Sequence, residues 1–575
     1  MKKIEKKISK LLIVMSVLLG VSCEQDILEI EPQDRIVENA VWNDANLIRA
    51  YHTELFNGIP HGFSINLIGK YTDEMYNSTP CCGANLFALN TYNPDNIAQV
   101  GGGTNLNDFW AIGNGYMYNW DHAYIYIRKI NLFLEKMEET DINLPDKDLW
   151  IAEAKFIRAY VYFNLIERFG GVPIVDEVYD LGDEVVFKRN TFEEVVAFIE
   201  QNLGEAKAVL PVKYGSTDRD YGRPTGDAAQ ALLSRVYLYA ASPLFNSGND
   251  QQKWQKAADA AEALINNGDY SLYPDYNGLF QLSQGDPQNE TIFSRGFTST
   301  NGQNFPMDYL NRRFGAYGGW WGSGGPSGNL VNDYEMLNGE LPFLENGQVN
   351  PASGYDPQSA FENRDPRFNA TIIHDGSIFR GIEFEMWISE DGAQWGYDSY
   401  KETGDNPRPN TVIKKFVPEE GTINWETPST VQWIHFRLAE IYLNYAEAKF
   451  ELGDEATARE YLNKVRSRQS VDMPDIPETV SGEELRQRIY NERRIELAFE
   501  GHRFFDVRRW EIADEVEEAP ITTIDIYKDM STGDKRYVEV ILLDRSGTFQ
   551  EHQSLFPIAQ DEIQRNPELT QTPGY

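Results

Sequence analysis

The sequence predicts a mainly α protein: helical hairpins packed into one body, with a large loop-rich insertion that carries minor β structure. Three observations predict it. Apolar residues recur at helical spacing through both ends of the chain. Several of these stripes are joined in pairs by short turns, with small residues where two helices would cross. Such pairs look tetratricopeptide-like, without the roughly 34-residue period of an open array. Between about 270 and 425 the stripes give way to Gly, Pro and Asn.

In chain order, Leu149, Ala152, Phe156, Ala159, Tyr160 and Phe163 predict a helix over 147–169, stopped by Gly170-Gly171-Val172-Pro173. A second helix runs from Phe192 to Leu210, with Thr191 as its start signal and Pro211 as its stop. Residues 226–241 and 253–267 form a helical pair, the first capped by Asp227 and the second ended by Gly268. Residues 431–468 repeat the theme: Ile434, Leu438, Ile441, Tyr445, Ala448 and Leu452 make one stripe, Gly453-Asp454 the turn, and Ala458, Tyr461, Leu462 and Val465 the return. Glu483 to Phe499 adds another amphipathic helix. In the insertion, Ser327 to Leu337 reads as one helix, and Thr371-Ile372-Ile373 and Val412-Ile413 read as short strands able to pair. The body thus spans 41–575, with a helical scaffold at about 41–269 and 426–575 and the loop-rich block at about 270–425.

The N-terminus carries an address. Lys2, Lys3, Lys6, Lys7 and Lys10 precede an apolar run from Leu11 to Leu19, then Gly20-Val21-Ser22 and Cys23. The run is shorter than the roughly 20 residues of a membrane span, so 1–22 reads as a secretory signal. Cys23, directly after small residues, is the expected lipidation site, and 23–40, rich in Glu and Asp, is an acidic tether. The formal charge of −37 becomes −41 without the five Lys and one Glu of the signal. Such a charge repels nucleic acid and anionic lipid, suits a neutral ligand, and leaves covalent lipid as the membrane attachment. Three cysteines make no disulfide scaffold. Cys81 and Cys82 are adjacent and are either thiols or a strained vicinal disulfide.

Residues 490–510, YNERRIELAFEGHRFFDVRRW, and 566–575, NPELTQTPGY, resemble the C-terminal signature of the SusD/RagB family. Glu153 to Tyr160 with Phe169 to Pro173, Gly222-Arg223-Pro224-Thr225 with Ala228 to Ala241, Arg364 to Phe368, and Arg437 to Ala448 are similar to further family elements in the same order. The likeness covers essentially the whole chain after the signal. It departs at Ala559, where a second Pro often stands, and at Thr572, where Asn usually stands. The resemblance implies a lipid-anchored, outward-facing outer-membrane protein that binds oligosaccharide and passes it to a SusC-like TonB-dependent transporter.

The charges of the signature, Glu492, Arg493, Arg494, Glu496, Glu500, Arg503, Asp506 and Arg508, predict a fully paired structural network holding this helix to the C-terminal tail. Flanking arginines would depress the carboxylate pKa that a general acid needs raised.

A glycan site needs exposed flat aromatics beside polar groups on loops. The strongest candidate is the Gly-rich stretch 312–325, with Arg313, Tyr317, Trp320 and Trp321, which the resemblance places on the ligand face. A second is Asp73, Glu74 and Tyr76, in a stretch similar to one near the family's ligand face, where the carboxylates either accept sugar hydroxyls or cap a loop. Trp110, Tyr116 and Tyr118 fit a helix start better than a site.

Two other functions stay open. One is RagB-like peptide uptake. The other is glycoside hydrolysis, which needs two carboxylates across a cleft, whereas Asp73 and Glu74 are chain neighbours. Gly322-Ser323-Gly324-Gly325 faintly resembles a serine-protease loop but has no identifiable His/Asp partner among seven scattered His. No motif predicts a cofactor or a metal ion.

Overall fold

The computed structural model describes residues 38–63, 67–78, 84–99, 117–179, 182, 185–215, 218–314, 322–422, 424 and 426–575. The signal, Cys23, nearly all of the tether, Cys81, Cys82, Trp110 and Tyr116 lie outside these residues.

The scaffold is a run of antiparallel helices, each packed on the next. Helix α1 spans Ala45–Leu55, α2 Trp120–Glu139, α3 Lys147–Phe169, α4 Phe192–Lys207, α5 Gly226–Ala241 and α6 Gln251–Asn267. Helix α3 is buried on nearly every side because α2, α4 and α5 all pack on it. That is why its sequence is apolar around most of its circumference rather than along one stripe. It ends where Gly170 takes φ +70°, a backbone region that glycine enters without strain. Thr191 starts α4 with a capping box shared with Glu194, which stabilises the end by about 1 kcal/mol. Thr225, not the expected Asp227, caps α5: its hydroxyl takes the Ala228 N–H at 3.1 Å. Asp227, two residues further on, instead accepts from Tyr270 and Asn267.

Strand β1, Met75–Tyr76, comes from the N-terminal half and pairs with the insertion, in which β2 is Thr291–Arg295, β3 Gly325–Pro326, α7 Gly328–Asp333, β4 Ile372–Ile373, β5 Ile388–Ser389 and β6 Val412–Ile413. Strands β4 and β6 pair antiparallel, Ile372 against Ile413, as expected. The expected helix from Ser327 is present but shorter, with Ser327 as its cap. Residues Trp433–Arg437 form strand β7 rather than helix and pair with β2. Ile434 had served the helical stripe, but β-branched and aromatic neighbours at 433–436 favour a strand that is buried on both faces.

The chain returns to the scaffold through α8 Leu438–Glu451, α9 Glu455–Arg466, α10 Glu483–Glu496 and α11 Arg503–Arg509. A long hairpin then follows where scaffold helix was expected: β8 Ile521–Lys528 pairs antiparallel with β9 Lys535–Leu543, and β5 joins β8 in parallel. Its signal was Ile-Thr-Thr-Ile and Val-Glu-Val-Ile flanking a Gly-containing turn.

There are two large apolar clusters. One fills the helical scaffold, around Phe156, Phe163, Leu232 and Val236. The other fills the insertion, around Phe63, Tyr309, Phe416 and Phe499. Each fully buried Leu or Phe contributes about 1.5–3 kcal/mol. Strand β7 serves both, giving Phe436 to the first and Trp433 and Ile434 to the second. At this seam lies a lattice of buried charge. Arg437 binds Glu290 at 2.9 Å, Glu496 at 2.7 Å and Glu500 at 2.7 Å. Arg468 binds Glu290 and Glu496, Arg466 binds Glu492 and Glu335, Arg367 binds Asp365, Glu492 and Glu496, and Lys415 binds Glu500.

The signature charges are therefore paired, but they hold α10 to the insertion and to α8, α9 and α11 rather than to the C-terminal tail. The α10 carboxylates Glu492 and Glu496 meet Arg367 of the insertion, Arg437 of β7, Arg466 of α9 and Arg468 just beyond it. The tail is tied down separately. Gln571 bonds both backbone groups of Ile558, and Thr572 gives its hydroxyl to Phe556 O at 2.7 Å. Ala559 donates its N–H to the Tyr118 hydroxyl at 3.0 Å, a bond that a proline at this position could not make.

Candidate functional site

The described residues place Arg313 and Tyr76 at the base of the stretch 315–321, one on each flank. On the entry side come Asn311, Arg312 and Arg313. On the exit side β3 pairs with β1, setting Tyr76 against Gly325. The neck is closed by the Ser323 N–H donating to Asp308 O at 3.1 Å. Beneath it Lys70 donates to Ser323 Oγ at 3.0 Å, so this buried serine is held in a structural bond. Burial pushes the Asp308 carboxyl up to about 7, which nearby Lys70 only partly offsets. Tyr317, Trp320 and Trp321 lie outside the described residues.

Asp73 and Glu74 do not face solvent, which corrects their reading as ligand acceptors. Asp73 is 4% exposed and binds Arg503 at 2.9 Å as well as Arg494. Burial pushes its carboxyl up, but the two arginines outweigh that and hold it well below the usual carboxylate range. Glu74 is 1% exposed, and burial pushes it up to about 7, with Arg494 offsetting only part. The physical reason is that Arg494 of α10 and Arg503 of α11 both reach Asp73, while Ser327, the cap of α7, bonds the Asp73 and Glu74 carbonyls and closes them over. Tyr76, one strand residue beyond Met75, remains half-buried at the edge.

Beside Arg313 the structure builds a feature missed in the sequence. Residues 395–398 run antiparallel to 385–388: Gly396 N–H donates to Trp387 O and Asp398 N–H to Glu385 O, both at 2.9 Å. Extended backbone alternates its side chains. Trp395 and Tyr397 therefore point outward, 39% and 47% exposed, while Gly396 and Asp398 point in. Position 396 requires glycine because a Cβ there would collide with the Glu385 carbonyl.

Asp398 is the anchor. One oxygen accepts from Asn311 Nδ2 at 2.7 Å and Arg313 Nε at 2.8 Å. The other accepts from Arg313 Nη2 at 2.6 Å and the Glu385 N–H at 2.9 Å. This bidentate grip sets the Arg313 guanidinium 4.5 Å from the Tyr397 ring centre. Trp395 Nε1 donates to Glu402 at 2.9 Å, which fixes the indole. Asn406 accepts from Arg312 N and donates to Tyr397 O and Ser399 O, wrapping 395–409 around the base of the stretch. Arg408 stacks 4.2 Å over Tyr400 and binds Asp525 at 2.9 Å.

The result is two flat rings held open to solvent beside guanidinium, amide and carboxylate groups that are already oriented. That geometry can stack on the C–H face of a sugar ring and hydrogen-bond its hydroxyls. The sequence signal was the alternation Trp-Gly-Tyr-Asp within a turn-rich stretch, two residues apart rather than adjacent.

Residues 289–575 match the family model described as the SusD family, and residues 68–238 match one described as starch-binding associating with outer membrane. A SusD-like protein, P2, of Formosa agariphila is 27% identical over 69% of this chain and 72% of its own. Among solved structures, a SusD-like protein from Bacteroides fragilis is 27% identical with a TM-score of 0.74, covering 95% of this chain and 100% of that one. A SusD-like carbohydrate binding protein from the same organism is 25% identical with a TM-score of 0.73, covering 92% and 100%.

Proposed function

Because the chain belongs to the SusD/RagB family, we propose that it is an outward-facing outer-membrane lipoprotein that binds oligosaccharide without cleaving it and delivers it to a SusC-like TonB-dependent transporter. The observation that carries the ligand class is the Trp395–Tyr397 pair: among the described aromatic side chains these are the most exposed, and both are locked in place. Leaving two large apolar rings in water is unfavourable unless something covers them. Tyr76 and Arg313 complete the same face, and the lipid on Cys23 supplies the anchor.

A glycan array probed with the chain lacking residues 1–23 tests the reading. Retention of at least one neutral oligosaccharide, lost in W395A/Y397A, supports it. Release of reducing ends from the bound glycan, or no retention anywhere on the array, overturns it. Substituting Cys23→Ala should move the protein out of the membrane fraction, and copurification of an outer-membrane transporter with the anchored form checks the partner.

A further inference from the structure

A cavity of about 130 Å³ lies between the helical scaffold and the start of β2. The loop between α4 and α5 makes one wall. Its neck is closed by Gly226 N–H donating to Pro211 O at 2.8 Å and Asp227 N–H to Val212 O at 3.2 Å. Compact loops closed in this way are frequently functional. The loop is also pinned from inside, because Arg223 binds the buried Glu153 at 3.1 Å. Gly222, at φ +92°, has the Gln284 amide where a Cβ would sit.

The opposite wall is the start of β2. Gln288 Oε1 accepts both the Glu290 and the Thr291 N–H at 2.8 Å, which fixes its amide, and its side chain meets the Tyr221 hydroxyl. Thr291 Oγ1 is buried with no hydrogen-bond partner among the described residues. Tyr214, Tyr221 and Tyr270 line the space, and Tyr270 is held by its bond to Asp227 at 3.1 Å.

The cations at the rim are already committed. Arg223 is spent on Glu153. Lys213 lies 4.1 Å over the Tyr270 ring and donates to Asp269 O at 2.7 Å. A phosphate, sulfate or uronate would find no uncommitted cation among the described residues of the lining. What the walls offer is aromatic surface, fixed amides and one unsatisfied hydroxyl. The volume is well under the roughly 300–1,000 Å³ of a drug-sized pocket. We infer that this cavity is a second carbohydrate subsite, taking a single uncharged sugar ring between Tyr221 and Thr291. The ligand class rests on the function proposed above, whereas the site shares no residue with the aromatic face.

Saturation-transfer NMR on the purified protein tests it, using free glucose, galactose, mannose and xylose as probes. A signal from at least one monosaccharide should persist in W395A/Y397A, vanish in Y221A and weaken about threefold or more in the near-isosteric T291V. Loss of the signal in W395A/Y397A, its survival in Y221A, or no monosaccharide signal from a protein that binds oligosaccharide overturns the inference. A protein that binds neither monosaccharide nor oligosaccharide overturns the broader function as well.

Discussion

The charge lattice around Glu496 and the aromatic face around Tyr397 are both built on arginine–carboxylate pairs, yet the pairs end in different places. In the lattice every partner is inside: Arg437, Arg468, Glu290 and Glu496 have side chains no more than 1% exposed. Each charge there is used up holding β7, α9, α10 and the insertion together. At the face only the carboxylate is buried. Asp398 is at 0%, while Arg313 keeps 20% exposure and lies against a ring that reaches solvent. The same chemistry serves cohesion in one region and presentation in the other. The family signature falls in the first, so the residues that announce the family are not those offered to a ligand.

Removing a lattice member should have the largest effect. Glu496→Ala takes one carboxylate from three buried arginines, leaving each with fewer partners than its charge requires, and breaking a buried pair costs about 3–5 kcal/mol. Urea denaturation should show that loss, or no folded protein at all. Glu496 also predicts a pH dependence. Burial alone would raise its carboxyl, but Arg468, Arg437 and Arg367 hold it well below the usual range. Its stabilising contribution is therefore complete above the unfolded pKa and is lost as pH falls through and below about 4.5. A denaturation midpoint unchanged in the variant would show that the lattice is dispensable.

Glu74 carries the opposite sign. Its folded pKa of about 7 lies above the ordinary glutamate value of 4.5, so the folded state holds the extra proton between those values and stability falls as pH rises through them. Glu74→Gln should remove that slope and gain on the order of 2–3 kcal/mol at pH 8 relative to pH 4. Denaturation midpoints measured at both pH values check this, and a slope identical to that of the unmodified chain would sink it.

W395A/Y397A sharpens the comparison from the other side. About half of each ring is in water, so stability should fall by only about 1–2 kcal/mol, while oligosaccharide affinity should fall roughly tenfold or more, or at least 1.4 kcal/mol. Calorimetric titration beside a thermal melt separates the two. The smallest effect is expected at the exposed Arg536–Glu390 pair, 2.8 Å apart. Arg536→Ala should leave the same melt nearly unchanged, because water and salt screen an exposed pair.

Much of the scaffold was legible in the sequence because a helix writes its burial into a repeating spacing. Leu149 to Phe163 fixed α3 almost to the residue, and Thr191, Gly170 and Gly268 marked ends by local backbone chemistry. The β4–β6 pair was also readable from two short β-branched runs. The hairpin at 521–543 was missed despite a similar signal, because it follows the helical α10–α11 region and was absorbed into the scaffold.

The site was legible only in part. Arg313 and Tyr76 do flank the expected stretch, but Asp73 and Glu74, which looked like surface acceptors, went inside. A carboxylate's role depends on which arginines reach it, and Arg494 and Arg503 arrive from more than 400 residues away in the chain. Composition and local spacing alone determined an acidic, helix-rich body with a loop-rich middle. Tertiary structure decided which charges are sealed and which rings stay wet. Burial and charge pairing are properties of neighbours, and those neighbours are brought together only by the fold.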